Sequence, residues 1–108
     1  MNKWIAERKL KCAPKGSEEI RDLVVRIGAP YLLELGMVDF KFSPGTAGCT
    51  IEIIGPSPDD VFEGSNVCET YGADTLQALN LASDIEPMLK RLSKKYDIFF
   101  PSGEPYFE

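Results

Sequence analysis

Apolar and polar residues alternate along much of the first half of this chain, and apolar residues take up helical spacing only after Asp74. A period of two is typical of strands that bury one face. The clearest examples are residues 22–27 and 38–42. Together with residues 4–12 and 49–54, they give four predicted strands, and residues 61–71 give a weaker fifth. A chain with this pattern is constrained to a sheet-forming first half.

The strand over residues 38–42 is predicted to form a hairpin with residues 49–54. Residues 43–48 contain Pro44 and two glycines, which favour a turn. In that hairpin, Phe40 and Phe42 would face Ile51 and Ile53, a favourable pairing of aromatic and β-branched side chains.

The helix is predicted to begin at Asp74. Asp74 is a good N-cap residue, and the side chain of Gln77 can reach back to the cap backbone. Apolar residues then recur at helical spacing as far as Tyr96. Pro87 removes a backbone donor, so the sequence predicts a kink over residues 83–87. A last short strand is expected at residues 98–100.

These elements predict one α+β domain over residues 1–108, with an antiparallel sheet of four or five strands packed against one long C-terminal helix. A single helix covers only one face of such a sheet. The other face is therefore expected to be solvated, self-associated or covered by a partner.

Charge is divided unevenly along the chain. No Lys or Arg occurs between Lys41 and Lys90, whereas the rest of the chain holds all twelve Lys and Arg against nine Asp and Glu. Such an asymmetry attracts cations and repels polyanions. The interval contains eight carboxylates: Glu52, Asp59, Asp60, Glu63, Glu69, Asp74, Asp84 and Glu86.

Several classes of protein fit the composition poorly. The isoelectric point near 4.7 disfavours a nucleic-acid ligand. No apolar run has the ~20 residues that a bilayer requires, and charges near the N-terminus disfavour a signal peptide. We therefore expect no membrane partner and a cytoplasmic location.

Catalytic and metal sites are not indicated either. The chain has no histidine, and Cys12, Cys49 and Cys68 lack metal-ligand spacing, so they are expected to be small buried thiols on strands. The acids around Asp59 do not fit a calcium-binding loop. The sequence predicts no cofactor, no metal and no enzyme, although a small enzyme using carboxylates or Cys68 stays a third option.

The aromatic C-terminal segment is expected to pack at its beginning. Phe99 and Phe100 are predicted to lie against the core, and the sequence leaves open whether Tyr106 and Phe107 are packed or exposed.

One string carries a resemblance. Residues 72–79 read Gly-x-Asp-x-x-Gln-Ala-Leu, and an earlier predicted strand ends in Ile27-Gly28-Ala29-Pro30. In these features the chain resembles a small bacterial domain family of unknown function. The resemblance implies a compact bacterial α+β domain and brings no catalytic residues.

The leading functional hypothesis is an immunity-type or antitoxin-type inhibitor that occludes a basic toxin domain such as a nuclease, because carboxylates on an inhibitor can pair with the cations of a nuclease site. The residues expected to bind the partner are Asp59, Asp60, Glu63, Glu69 and Tyr71. The alternative is a self-associating structural or regulatory module that pairs through an uncovered sheet face or edge. The sequence leaves monomer and homodimer undecided.

Overall fold

A computed structural model describes residues 4–55 and 65–107 of the chain. These residues form six strands and two helices, so the α+β class is confirmed. In chain order the elements are β1 (Trp4–Pro14), β2 (Arg21–Gly28), β3 (Tyr31–Leu32), β4 (Ala47–Ile54), β5 (Ser65–Gly72), α1 (Thr75–Ser83), α2 (Glu86–Leu92) and β6 (Tyr96–Phe99).

All strands belong to one antiparallel sheet. β5 pairs with β4 along its whole length, from Ala47↔Gly72 to Ile54↔Ser65. Since a strand has two edges, β2 and β3 share the other edge of β4, where they lie end to end. β1 follows beyond β2, and β6 pairs with the C-terminal part of β1. Pro30 interrupts the run between β2 and β3, because proline has no backbone N–H to donate. The sheet is thus five strands wide, with β5 and β6 at its edges.

Both helices contribute to the core on one face of this sheet. On the sheet side the core is supplied by alternate residues of β1, β2, β4 and β6, as the two-residue period requires. The buried hydrophobic cluster consists of Leu10, Cys12, Leu23, Val25, Ile27, Ala47, Cys49, Ile51, Ile53, Ala78, Ala82, Ile85, Leu89, Leu92, Tyr96 and Ile98. The prediction of buried thiols is confirmed for Cys12 and Cys49, but it is wrong for Cys68, which is exposed on β5.

The start of the helical region is as predicted. The backbone N–H of Gln77 donates to Asp74 Oδ1 over 2.8 Å, which satisfies one of the free donors of the first turn. The Gln77 side chain also reaches back, but it accepts from Ala73 N (2.6 Å), one residue before the cap. Local side-chain chemistry therefore fixes where α1 begins.

The prediction of one long helix is approximate, because the C-terminal helical region is bent and divided into two helices. α1 ends at Ser83, and α2 begins at Glu86 with Pro87 in its first turn. At that position the missing N–H of proline would have had no partner inside the helix in any case. The expected kink is therefore a complete interruption at Asp84 and Ile85.

The predicted strand at residues 38–42 is wrong. The turn predicted after residue 42 is present. Thr46 N donates to Ser43 O (3.1 Å), and Gly45, which follows Pro44, has a positive φ of 91°. However, β5 occupies one edge of β4, and β2 with β3 occupies the other. No edge of β4 is left for the predicted hairpin, so residues 33–46 form a loop.

The C-terminal segment folds back on the domain. Tyr106 N donates to Ile98 O (2.8 Å), and Phe99 forms an isolated antiparallel β-bridge with Pro105. Tyr106 and Phe107 are half-buried and pack against the core, which decides the question that the sequence left open. Phe100, in contrast, is exposed, so the prediction that it packs against the core is wrong.

Candidate functional site

The sheet face opposite the helices carries the polar side chains. Residues paired across antiparallel strands point to the same face. The pairs Arg26↔Glu52, Thr50↔Glu69 and Gly48↔Tyr71 therefore place all their members on this outer face. Tyr31 on β3 lies on the same face, because it pairs with Gly48 on β4.

Ion pairs join the β1–β2 part of the outer face to β4. Arg26 lies between Glu7 and Glu52, at 3.5 Å from an oxygen of each. Lys11 on β1 also forms an ion pair with Asp22 on β2. The charges of this part of the face are therefore largely compensated.

Glu69 on β5 is placed differently. The Tyr31 hydroxyl donates to Glu69 Oε1 over 2.5 Å, and the Thr50 hydroxyl donates to the same oxygen over 2.9 Å. Among residues 4–55 and 65–107, no Lys or Arg forms an ion pair with Glu69. The carboxylate is thus held by two neutral donors, and its charge is not compensated by a described cation.

This arrangement also affects Tyr31. Burial, and then the hydrogen bond to the Glu69 carboxylate, raises the pKa of the Tyr31 hydroxyl. Both causes favour the neutral phenol over the phenolate. At neutral pH Tyr31 therefore carries the proton that it donates to Glu69.

Aromatic side chains lie beside this carboxylate. Tyr71 is two residues after Glu69 on the same face of β5, and its ring meets Phe40 edge to face with centroids 5.1 Å apart. Both rings are exposed, Tyr71 at 37% and Phe40 at 47%. The loop that contains Phe40 thus brings a second aromatic ring to the outer face.

The structure describes two of the five residues that the sequence assigned to partner binding. Glu69 and Tyr71 lie on one face of one strand, as the predicted alternation required. Asp59, Asp60 and Glu63 lie outside the described residues. Tyr31, Thr50 and Phe40 were not predicted as members of the site. No local signal marks them, because strand pairing and loop packing bring them to β5.

The division of charge along the chain is also a division in space. β4, β5 and α1 lie side by side, and all three come from the interval without Lys or Arg. β1, β2 and α2 supply Arg8, Arg26, Lys90 and Arg91. Thr50, Glu69 and Tyr71 therefore lie on strands that have no cation of their own, and Lys41 is the neighbour of Phe40 in the adjoining loop.

A second candidate site lies beside β6. It is a groove of about 340 Å³ lined by Lys15, Ser93, Tyr96, Asp97, Ile98, Phe99, Pro105 and Phe107. Its charged groups, Lys15 and Asp97, already pair with one another at 3.4 Å. The groove therefore offers less uncompensated charge than the Glu69 site.

The described residues provide neither a metal-binding cluster nor a membrane-spanning helix. Residues 4–55 and 65–107 contain no group of three or more Cys, Asp or Glu side chains placed to hold a metal ion. In the same ranges, neither helix has the length and apolar character needed to cross a membrane.

Comparisons with known proteins gave no match: no family model, no curated protein and no solved structure is similar to this chain at a significant level.

Proposed function

We propose that this protein is a small acidic binding module that inhibits a basic protein domain, in the manner of bacterial immunity proteins and antitoxins. Its target would be a toxin domain with a cationic site, such as a nuclease, in the cytoplasm of the producing cell. The observation that carries the proposal is the uncompensated Glu69 carboxylate, held in place beside two exposed aromatic rings.

The physical argument rests on complementarity. A carboxylate that is already oriented loses little conformational freedom when a partner's cation pairs with it. Exposed aromatic residues are enriched among the residues that contribute most to binding energy in protein interfaces. The neighbouring elements β4, β5 and α1, which together contain carboxylates and no Lys or Arg, would also accelerate association with a basic partner.

The experiment is a capture from the native host's lysate with the tagged protein, at low salt and then at rising salt. The expected result is one basic protein that elutes as salt rises and is captured much less by the Glu69→Gln variant. Asp97→Asn is the matched control, since it removes one negative charge from β6 at the other edge of the sheet. A partner that is not basic, or a capture that does not weaken as salt rises, would contradict the proposal.

A second candidate function is a self-associating structural or regulatory module. It is favoured by the outer edge of β5, where eight residues pair with β4 on one side and with no described strand on the other. Such an edge can template pairing with a second copy. Two copies of β5 would, however, bring two uncompensated Glu69 carboxylates together.

Sedimentation at micromolar concentration separates the two candidates. A dimer that is insensitive to salt would favour self-association, and mild oxidation should then cross-link it through Cys68, the exposed cysteine. A monomer would favour an inhibitor that awaits its partner.

A further inference from the structure

We propose that the side chains of Tyr31, Thr50, Glu69 and Tyr71 form a receptor for the guanidinium group of one arginine. This inference rests on the proposed function, because it names the chemical group by which a basic partner would be recognised. Phe40 supports the aromatic part of the receptor through its contact with Tyr71.

The carboxylate is oriented before any partner arrives. Tyr31 and Thr50 both donate to Oε1 of Glu69. Tyr31 reaches it from β3, on the far side of β4, and Thr50 reaches it from β4 itself. A carboxylate accepts about four hydrogen bonds, two at each oxygen. Within residues 4–55 and 65–107 no donor to Oε2 is observed. That oxygen is consequently the acceptor offered to a ligand.

The charge of Glu69 is available as well. On the same face, Arg26 is two strands away and lies between Glu7 and Glu52. A ligand that carries its own positive charge would therefore meet a carboxylate that forms no ion pair with a described Lys or Arg.

The aromatic residue is at a suitable distance. Two residues along a strand span about 7 Å, so a planar group bound at Glu69 can lie over the ring of Tyr71. A guanidinium satisfies both requirements at once, since it donates hydrogen bonds in its plane to a carboxylate and stacks its face on an aromatic ring.

Other cations fit the receptor less well. The ammonium of lysine is a more strongly hydrated point charge without a face to stack, so an exposed site with one carboxylate would hold it weakly. A divalent metal ion prefers several oxygen ligands, and Glu69 is the one carboxylate among the named residues. The receptor is therefore expected to distinguish arginine from lysine.

The test is an NMR titration of the labelled protein with two peptides of equal charge, hexaarginine and hexalysine. With hexaarginine, the amide signals of Thr50, Glu69 and Tyr71 should shift and saturate, and hexalysine should bind several-fold more weakly. Glu69→Gln should weaken hexaarginine binding by about tenfold, the scale expected for a charged hydrogen bond. Glutamine keeps an acceptor oxygen for Tyr31 and Thr50, so this variant is expected to fold.

Asp97→Asn is again the control for net charge and should change the affinity less than twofold. Equal affinities for the two peptides, equal losses in the two variants, or no saturable shift at Glu69 would each overturn the receptor. Its failure is distinguishable from failure of the proposed function. A basic partner that is captured in a salt-dependent way, yet equally well by Glu69→Gln, would leave the function standing without this receptor.

Discussion

The ring of Tyr31 lies directly against Gly48, its partner across the β3–β4 pair. A Cβ atom at Gly48 would be 2.6 Å from both Cζ and the hydroxyl oxygen of Tyr31. Glycine at this point of β4 therefore makes the room in which the Tyr31 hydroxyl reaches Glu69.

Gly48→Ala should displace Tyr31 and lower the free energy of unfolding by about 1–3 kcal/mol, the usual cost of inserting a methyl group into a packed site. Urea denaturation measures this loss. In a Tyr31→Ala background the clash is gone, so the same Gly48 substitution should cost much less. An equal cost in both backgrounds would show that the Tyr31 ring is not the obstacle.

The second prediction concerns alkaline pH. The folded state raises the pKa of Tyr31, whereas the unfolded chain has an ordinary tyrosine pKa of about 10. The folded state thus retains a proton that the unfolded chain releases, so the stabilisation is complete below about pH 10 and declines above it. The unfolding free energy of Tyr31→Phe should therefore fall less steeply than that of the parent protein as the pH rises above about 10.

The same titration can be followed by the ultraviolet absorbance of the phenolate. Removing the Glu69 charge in Glu69→Gln should lower the pKa of Tyr31, because a neighbouring negative charge no longer opposes ionisation. Identical titration curves for the parent protein and this variant would contradict the hydrogen bond between the two side chains.

A third prediction concerns the contact between β5 and α1. A Cβ atom at Gly72 would lie 2.6 Å from Ala78 N and 2.9 Å from the carbonyl carbon of Gln77. These are backbone atoms of a helix, which cannot rotate away as a side chain can. Gly72→Ala should therefore cost about 3 kcal/mol and lower the helical circular dichroism signal. A loss below that of Gly48→Ala would show that α1 can shift on the sheet.

The start of α1 was predictable from the sequence because its determinants are local. Asp74 and Gln77 are three residues apart, so the hydrogen bond from Gln77 N to Asp74 Oδ1 joins residues that are close along the chain. The strand wrongly predicted at residues 38–42 shows the opposite case. Its alternation is genuine, but strand formation requires a free edge, and both edges of β4 are taken by strands from elsewhere in the chain.

The candidate site divides in the same way. Glu69 and Tyr71 were found because alternation along one strand places them on one face. Tyr31 and Thr50 were missed because they reach Glu69 across the sheet, from 38 and 19 residues away along the chain. Pairing between distant strands depends on the whole topology, which a local pattern does not encode.

A fourth prediction tests the cap of α1. Asp74→Ala removes the acceptor of the Gln77 N–H bond and should cost about 1 kcal/mol of unfolding free energy. Asp84→Ala is the matched control, since it removes the same charge from the residue between the C-terminal end of α1 and the N-terminal end of α2, where its effects on the two helix dipoles oppose each other. The control should be close to neutral. Equal losses in the two variants would assign the effect to net charge and not to capping.

The last prediction concerns Tyr96, which is 2% exposed in the core. Its hydroxyl oxygen is buried and has no hydrogen-bond partner among the described residues. Burying a polar group in this way is unfavourable, because its bonds to water are lost on folding and not replaced. Tyr96→Phe keeps the ring and removes the hydroxyl, so the free energy of unfolding should stay level or rise by about 1 kcal/mol. Tyr106→Phe provides the contrast, since the Tyr106 hydroxyl accepts from Arg8 (2.6 Å) and donates to Glu86, and its removal should be destabilising.

Urea denaturation of the Tyr96→Phe and Tyr106→Phe variants side by side measures both effects. A clear loss of stability in Tyr96→Phe would mean that the buried hydroxyl has a partner in solution, such as an ordered water molecule in the groove beside β6.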